Sequence, residues 1–319
     1  MLKTVMPLSA HMPDVKPVKA GWWNALRPWS LHGAIVPVLI GGAVAYDDRG
    51  FDAAGWTVFI MVLIASILIQ AAVNLLNTYG DFKQGTDSVE NETRSPELVT
   101  GVLDPEKVKL AGLGCLGIVC LFGLIFIWYS GWNILFWGIL GVIGAGSYTT
   151  GVSYKYHGLG QPMVFLMMGL LMPIGTYCVL MDGGFSWNVV ALALPNAFLI
   201  TAVLCGNETR DYEEDRSAGV RTLSSHFSRE GALKLYLCEI LAAYIALVVA
   251  ALVGLVPIGC MLAIASVPSL ASLYRNAKES ADDAHANFML VPLAFSLNWR
   301  FGLWLVAGYA IQEILLPMV

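Results

Sequence analysis

Residues 77–87 read NTYGDFKQGTD and residues 207–216 read NETRDYEEDR. In each stretch an Asn is followed four residues later by an Asp, and each stretch directly follows a long apolar segment. Because residues four apart lie on one face of an α-helix, each pair presents an amide and a carboxylate side by side. The two pairs are Asn77 with Asp81 and Asn207 with Asp211. We therefore expect two helices to end in neighbouring oxygen ligands.

A further acid follows each pair, at Asp87 in the first stretch and at Asp215 in the second. Carboxylates that converge without counter-ions repel one another, and divalent cations would relieve that repulsion. Mg²⁺ favours carboxylates together with substrate phosphate oxygens, so we expect a site for two Mg²⁺ ions. The predicted ligands are Asn77, Asp81, Asp87, Asn207, Asp211 and Asp215. Glu208 lies about a quarter-turn from Asn207, and the pattern leaves its role open.

The composition is that of a membrane protein. Hydrophobic residues make up 57% of the 319 residues and charged residues 13%, and the mean hydropathy is +0.67. Soluble domains carry roughly a quarter charged residues, so a polytopic helical membrane protein is predicted. The six cysteines form no CxxC pair, and we expect them to act as small buried hydrophobes without disulfides.

Membrane spans follow from apolar stretches of about 20 residues. The sequence offers nine candidates: 31–46, 55–79, 108–128, 132–150, 162–181, 188–207, 235–253, 255–273 and 297–317. We expect residues 1–25 to form a cytoplasmic and interfacial segment, and residues 26–319 to form one membrane domain. The long charged connections 80–107 and 208–234 are expected to form part-helical caps over the site.

The basic residues predict the orientation of the chain. With a cytoplasmic N-terminus and nine alternating spans, each of the 18 basic residues except Arg49 falls on the cytoplasmic side. Both polar stretches fall on that side as well, after the second and the sixth span. The offset of four spans is compatible with a weak internal repeat whose halves meet around one site.

Basic side chains near the polar stretches suit a phosphate ligand, since the Arg fork matches phosphate oxygens. The predicted diphosphate contacts are Arg94, Lys155, Arg210, Arg216 and Arg221. The excess of cytoplasmic positive charge accounts equally well for any one of them taken alone.

The spaced Asn and Asp residues after the second and sixth spans resemble the motifs of the UbiA superfamily of intramembrane prenyltransferases. The resemblance covers residues 26–319. Arg27-Pro28 is similar to the start of the family's first span, and Gly158-Leu159-Gly160 to its third conserved region. Residues 215–223, which read DRSAGVRTL, are similar to the end of its second motif.

Within the superfamily, residues 81–87 are most similar to the 1,4-dihydroxy-2-naphthoate (MenA-type) branch of menaquinone synthesis. The 4-hydroxybenzoate and haem O branches usually have an Asp where this chain has Thr78, and their last Asp comes two residues earlier than Asp87. These departures argue against those two branches and leave other aromatic acceptors open.

The resemblance implies a bundle with a central cavity and cytoplasmic helical caps, in the inner or plasma membrane. It implies Mg²⁺-dependent transfer of a polyprenyl group from polyprenyl diphosphate to an aromatic acceptor. With 1,4-dihydroxy-2-naphthoate, decarboxylation would give demethylmenaquinone. The implied catalytic residues are Asp81, Asp211, Asp215, Tyr148 and Tyr154, with the two tyrosines facing a developing carbocation. The expected partners are the two substrates and membrane lipid, with no nucleic acid.

Two other classes of membrane protein fit the sequence less well. A cation-coupled transporter places its carboxylates near the bilayer midplane, often on broken helices, whereas these acids lie at the ends of spans. A CDP-alcohol phosphotransferase needs an Asp-Gly-x-x-Ala-Arg run, which this sequence lacks.

Overall fold

The fold is all-helical in a computed structural model that describes residues 19–85, 87, 95–148, 153–217 and 219–318, without the side chains of Tyr156 and Met318. The helices are α1 Trp22–Leu26, α2 His32–Arg49, α3 Ala53–Gln84, α4 Pro96–Val99, α5 Pro105–Ser130, α6 Ile134–Gly146, α7 Gly160–Leu180, α8 Trp187–Arg210, α9 Tyr212–Ser217, α10 Arg229–Leu252, α11 Ile258–Glu279 and α12 Ala284–Leu315. Short 3₁₀ turns cover Pro28–Ser30, Tyr154–Tyr156, Ser224–His226 and Leu316–Met318.

Eight helical segments in the described chain are long and apolar enough to cross a membrane: α1 with α2, then α3, α5, α7, α8, α10, α11 and α12. The predicted span 132–150 corresponds to α6, which has 13 residues. At 1.5 Å per residue it is about 20 Å long, less than the roughly 30 Å of a hydrocarbon core. The predicted count of nine spans is therefore not confirmed.

The predicted connection between 273 and 297 is largely helical. Helix α11 continues to Glu279 and α12 already begins at Ala284. The carboxylate of Asp283 caps α12 by accepting from the Ala286 amide at 2.6 Å, as side chains at helix N-termini commonly do. Hydropathy does not detect such polar helical turns, because it measures the apolar run alone.

Helix α3 is longer than a bilayer needs, and its last turns carry the first polar pair. Asp52 caps its start by accepting from the Gly55 amide at 2.7 Å. Gly85 ends it in the left-handed region with φ of +76°, where its amide donates to the carbonyls of Asp81 and Phe82. With 32 residues, α3 is about 48 Å long, so the final turns carrying Asn77 and Asp81 lie beyond its apolar part.

The core of the bundle lies around α2 and α8, and α8 is the most buried of the spanning helices. Helix α8 packs against α10 and α12, while α2 packs against α3, α7 and α12. Across α8 and α12, Asn298 donates to Asn196 at 3.0 Å inside the core. Helix α5 is the least buried span, and its outer face exposes large apolar side chains that suit contact with lipid. They include Leu110, Leu121, Leu124 and Trp128.

Short helices close the end of the bundle that carries the polar stretches. Helix α4 packs against α1 and α3, and α9 packs against α8 and the Ser224–His226 turn. The predicted helical caps are thus present in the described parts of both connections. They bring chain segments that are distant in sequence close to the ends of α3 and α8.

Candidate active site

A cavity of about 1370 Å³ runs into the bundle and has both polar pairs in its wall. Asn77, Asp81, Asn207 and Asp211 all line it, so the ends of α3 and α8 face one space. The remaining wall is mainly apolar and comes chiefly from α3, α5, α6 and α7. Representative side chains are Val62, Phe126, Ile139 and Met167. The cavity therefore combines an oxygen-rich end with a long apolar chamber.

The first pair holds the ammonium group of Lys155. Lys155 Nζ lies 2.6 Å from Oδ1 and 2.9 Å from Oδ2 of Asp81, and 3.0 Å from Oδ1 of Asn77. The amide of Asn77 also donates to Asp81 Oδ2 at 2.9 Å. All three residues are buried. The four-residue spacing on α3 thus creates a two-residue oxygen site that is closed by a cation.

The second pair holds the guanidinium group of Arg210 in a similar way. Arg210 Nη2 lies 2.6 Å from Asn207 Oδ1 and 2.6 Å from Asp211 Oδ2, while its Nε lies 2.7 Å from Asp211 Oδ1. This bidentate arrangement matches the fork geometry of Arg with a carboxylate. The two pairs therefore have equivalent chemistry as well as equivalent spacing.

The further acids also line the cavity. Asp87 lies close to the end of α3, where its amide donates to the Asp81 carbonyl at 3.3 Å. Asp215 is buried on α9. Burial raises the pKa of Asp215 to about 8; Lys155 opposes this rise, and the charges of Asp211 and Asp81 add to it. Acids from both stretches thus share one electrostatic environment, which would favour a bound cation.

Two tyrosines pack in the wall beside the acids. The rings of Tyr148 and Tyr154 meet edge to face with centroids 5.4 Å apart. The Tyr154 hydroxyl donates to the Gly144 carbonyl at 2.6 Å. Burial raises the pKa of both phenols, so both stay neutral near pH 7. Both residues line the cavity, and each therefore offers it a neutral aromatic ring.

Only some of the predicted diphosphate-binding residues line the cavity. Lys155 and Arg210 line the cavity, and Arg94 lies outside the described residues. Arg216 and Arg221 are exposed and border a separate concavity of about 550 Å³. Arg216 follows Asp215 on α9, and adjacent helical residues point about 100° apart. With Asp215 facing the cavity, Arg216 points away from it.

A backbone bridge fixes the position of Arg221. Arg221 lies two residues after Gly219, which has φ of +71°, and its backbone forms an isolated bridge with His157. The bridge holds the Arg221 segment against the Lys155 segment and leaves the Arg221 side chain in solvent. The predicted diphosphate role of Arg216 and Arg221 finds no support in this geometry.

A buried cluster around Glu208 was not anticipated from the sequence. Glu208 is 2% exposed, and its Oε2 accepts from Gln161 Nε2 at 2.7 Å and from the Ser224 amide at 3.1 Å. Oε1 of Glu208 and Oε1 of Gln161 are buried and find no hydrogen-bond partner among the described residues. The position of Glu208 directly after Asn207 was the one available signal. The contacts themselves depend on two segments folding back onto α8.

The segment before α2 forms another part of the wall. Arg27 lines the cavity in the left-handed region, with φ of 49°, and donates to the Ser95 hydroxyl at 2.7 Å. Asn74 of α3 donates to the Leu26 carbonyl at 2.8 Å and to Ser30 Oγ at 2.9 Å. A left-handed conformation at a non-glycine residue such as Arg27 persists only where the surrounding contacts hold it, and such residues often lie at functional sites.

The donor set is compatible with Mg²⁺ that shares its ligands with a substrate. Within the described ranges, no group of three or more His, Cys, Asp or Glu side chains is arranged to hold a metal ion. Each pair offers one carboxylate and one amide oxygen. Mg²⁺ typically takes one or two carboxylates and completes its shell with water and substrate phosphates. The pairs therefore fit the protein's share of such a shell.

The fold and cavity define a polytopic helical membrane protein with a polar site at the end of an apolar chamber. Residues 34–311 match the model of the UbiA prenyltransferase family. The chain belongs to the UbiA prenyltransferase family.

Named relatives agree with this assignment. The chain is 30% identical over 290 residues to "UbiA prenyltransferase domain-containing protein 1" of Xenopus tropicalis, covering 89% of this chain and 80% of the relative. It is 34% identical over 210 residues to the protein of the same name from Ailuropoda melanoleuca, covering 64% of this chain and 60% of the relative. The second alignment thus spans less than two thirds of that relative's length. These names specify no naphthoate acceptor, and the predicted MenA-type branch is not confirmed.

Solved structures share the fold at low sequence identity. A UbiA homologue from Aeropyrum pernix K1 has a TM-score of 0.61 and 18% identity, covering 90% of this chain and 98% of that one. A UbiA homologue from Archaeoglobus fulgidus, solved bound to GPP and Mg²⁺, has a TM-score of 0.54 and 16% identity, covering 90% and 99%. These likenesses establish the architecture of the bundle.

Proposed function

We propose that this protein is a Mg²⁺-dependent prenyltransferase that moves a polyprenyl group from polyprenyl diphosphate to an aromatic acceptor. The observation that carries the proposal is the meeting of both Asn–Asp pairs in one cavity whose remaining wall is apolar. The polar end suits a diphosphate with Mg²⁺, and the apolar chamber suits an isoprenoid chain. The ligands described for the Archaeoglobus fulgidus homologue, GPP and Mg²⁺, support the same pairing of chemistries.

The diphosphate would lie between the two pairs. The residues that would hold two Mg²⁺ ions are Asn77, Asp81, Asp87, Asn207, Asp211 and Asp215, and the ions would neutralise charge on the diphosphate. Lys155 and Arg210 lie among these ligands and would donate to the same diphosphate. Arg94 keeps its predicted diphosphate role as a proposal, while Arg216 and Arg221 are left out because of their positions.

The reaction begins when the allylic C–O bond breaks and the diphosphate leaves with the electron pair. Bound Mg²⁺ would supply Lewis-acid stabilisation of that leaving group. Lys155 and Arg210 would add positive charge where negative charge develops on the leaving group, which is an effective form of electrostatic catalysis. Tyr148 and Tyr154 place neutral aromatic rings beside the site, where they would stabilise the allylic cation.

The acceptor ring then attacks the allylic carbon and forms the new C–C bond. For 1,4-dihydroxy-2-naphthoate the carboxylate at the attacked carbon leaves as CO₂, and its bonding electrons restore the aromatic ring. The product would be demethylmenaquinol, the hydroquinone form of demethylmenaquinone, and its formation would be a step of menaquinone biosynthesis; the quinone arises from it by a separate two-electron oxidation. This choice of acceptor rests on the resemblance of residues 81–87, and another aromatic acceptor is the alternative.

The proposed setting is a multi-pass protein of the inner or plasma membrane. Residues 1–25 would form an interfacial segment and residues 26–319 the membrane domain. The site and the N-terminus would face the cytoplasm, as the distribution of Lys and Arg predicts. A cysteine-accessibility experiment that labels the site end only from outside the cell would contradict this orientation.

The test is a product assay with purified protein in lipid nanodiscs. One polyprenyl diphosphate is incubated with a panel of aromatic acceptors, including 1,4-dihydroxy-2-naphthoate, and the products are identified by mass. We expect a prenylated product that disappears with EDTA and returns with added Mg²⁺. Cation flux through sealed vesicles, together with no product from any acceptor, would instead favour a transporter.

A further inference from the structure

Both proposed metal sites are closed by cations of the chain itself. Lys155 Nζ lies within 3.0 Å of oxygens of both Asn77 and Asp81. Arg210 Nη2 lies 2.6 Å from oxygens of both Asn207 and Asp211. A divalent ion ligated by the same oxygens cannot share these positions with an ammonium or a guanidinium group. Metal uptake therefore requires both side chains to move.

Moving Lys155 is costly unless another anion receives it. Lys155 is 7% exposed and Asp81 is 6% exposed, so their ion pair is largely removed from water. Breaking a buried pair while leaving one charge uncompensated is strongly unfavourable. A divalent cation arriving alone would relieve Asp81 but would leave the Lys155 ammonium beside an added positive charge.

We propose that Lys155 and Arg210 are internal counter-ions that hold the two pairs closed to divalent metal until a diphosphate arrives. A diphosphate offers enough anionic oxygens to receive both side chains and still ligate the metal. The freed carboxylates and amides then complete the metal shell. Diphosphate and metal consequently bind interdependently, and neither binds tightly alone. This inference rests on the proposed function, because it takes a prenyl diphosphate as the natural ligand.

The coupling has a measurable consequence. If diphosphate raises the affinity for metal by a given factor, metal raises the affinity for diphosphate by the same factor, typically about 5–150-fold. Removing Lys155 removes the competitor at the first pair. The Lys155→Met variant should therefore bind metal more tightly than the wild type when no diphosphate is present.

The experiment measures Mn²⁺ binding to detergent-purified protein by the loss of the free-ion EPR signal. In the wild type we expect weak uptake of Mn²⁺ alone. Inorganic pyrophosphate should increase this uptake by about 10–100-fold, relative to protein-free solutions with the same Mn²⁺ and pyrophosphate. Lys155→Met should bind Mn²⁺ alone at least about tenfold more tightly than the wild type. The double variant Lys155→Met with Asp81→Asn should lose this gain.

A matched control is Lys234→Met, because Lys234 is an exposed lysine that pairs with Glu230 away from the cavity. It should bind Mn²⁺ as the wild type does. Wild-type protein that binds Mn²⁺ equally well with and without pyrophosphate would overturn the inference without the need for any variant. A Lys155→Met protein with wild-type affinity for Mn²⁺ alone would overturn it as well.

The outcome separates this inference from the proposed function. Prenyl product together with tight Mn²⁺ binding in the absence of pyrophosphate overturns the exchange of counter-ions and leaves prenyl transfer standing. Pyrophosphate-dependent Mn²⁺ binding with no prenyl product from any acceptor supports the exchange and contradicts prenyl transfer.

Discussion

The side-chain amide of Gln161 lies 2.7 Å from the carboxylate of Glu208, and both groups are buried. The same amide lies 3.0 Å from the Ser224 hydroxyl. These bonds join three segments that are distant in sequence: the start of α7, the end of α8 and the turn before α10. These bonds hold the start of α7, which lies close in sequence to Lys155, against the end of α8. We therefore expect Glu208 to act as a positioning residue.

Replacing Glu208 by Ala should destabilise the protein and slow prenyl transfer. A hydrogen bond contributes about 0.5–1.5 kcal/mol to stability, and the variant removes the acceptor shared by the Gln161 side-chain amide and the Ser224 backbone amide. Thermal unfolding in detergent and product formation at saturating substrates measure the two effects. Glu213→Ala is the matched control because Glu213 is exposed on the neighbouring helix. Equal unfolding temperatures for the two variants would refute the positioning role.

The ring of Tyr154 should matter more than its hydroxyl. The hydroxyl is engaged with the Gly144 carbonyl, so Tyr154→Phe should lose about 1 kcal/mol of stability and retain most of its turnover. Tyr154→Ala removes the ring and should lower kcat strongly, because the aromatic stabilisation of the cation is lost. The comparison needs kcat for both variants with one prenyl diphosphate. A Phe variant as inactive as the Ala variant would assign the chemistry to the hydroxyl.

The three arginines at positions 210, 216 and 221 should differ in their effect on substrate binding. Arg210→Gln removes a cation that lies between Asn207 and Asp211 and should raise the KM for prenyl diphosphate by at least about tenfold, the equivalent of 1.4 kcal/mol. Arg216→Gln and Arg221→Gln should leave that KM within about threefold, since exposed charges contribute little. Steady-state kinetics at a fixed acceptor concentration give the KM for prenyl diphosphate of each variant. Equal losses in all three variants would place Arg216 and Arg221 on the substrate.

Close packing of α2 against α7 predicts a stability difference between two glycines. A Cβ at Gly41 would lie 2.2 Å from the Pro173 carbonyl oxygen, whereas a Cβ at Gly114 would meet no atom of the described residues within 4 Å. Gly41→Ala should therefore cost about 1–3 kcal/mol, and Gly114→Ala should not lower stability. Thermal unfolding in one detergent compares them directly. Wild-type stability in Gly41→Ala would contradict the packing of these helices.

The contacts within each pair could be predicted from the sequence because the helical period alone determines them. Asn77 and Asp81 lie on one face of α3 whatever surrounds that helix. Asn207 lies in the last turn of α8, and Asp211 directly follows that helix. The composition likewise predicted a helical membrane protein. The repeat of the motif predicted that both pairs would meet around one site. In the structure both pairs line one cavity.

Features that depend on non-local folding could not be predicted in this way. Hydropathy predicts a span over 132–150, whereas α6 ends at Gly146, because hydropathy does not detect where a helix ends. Arg216 was placed with Asp215 by proximity in sequence, although adjacent residues on a helix face different sides. The bonds of Glu208 require α7 and the Ser224 turn to meet α8, and no spacing within one segment encodes that meeting.

The most direct measurement of the central claim is prenyl product formation by Asp81→Asn and Asp211→Asn, with Glu213→Gln as the folded control. If the two pairs grip one metal-bound diphosphate, each Asn variant should lose at least about 100-fold in rate, the scale of losing one electrostatic stabiliser, while the control matches the wild type. Wild-type turnover in either Asn variant, with unchanged dependence on Mg²⁺, would contradict the account.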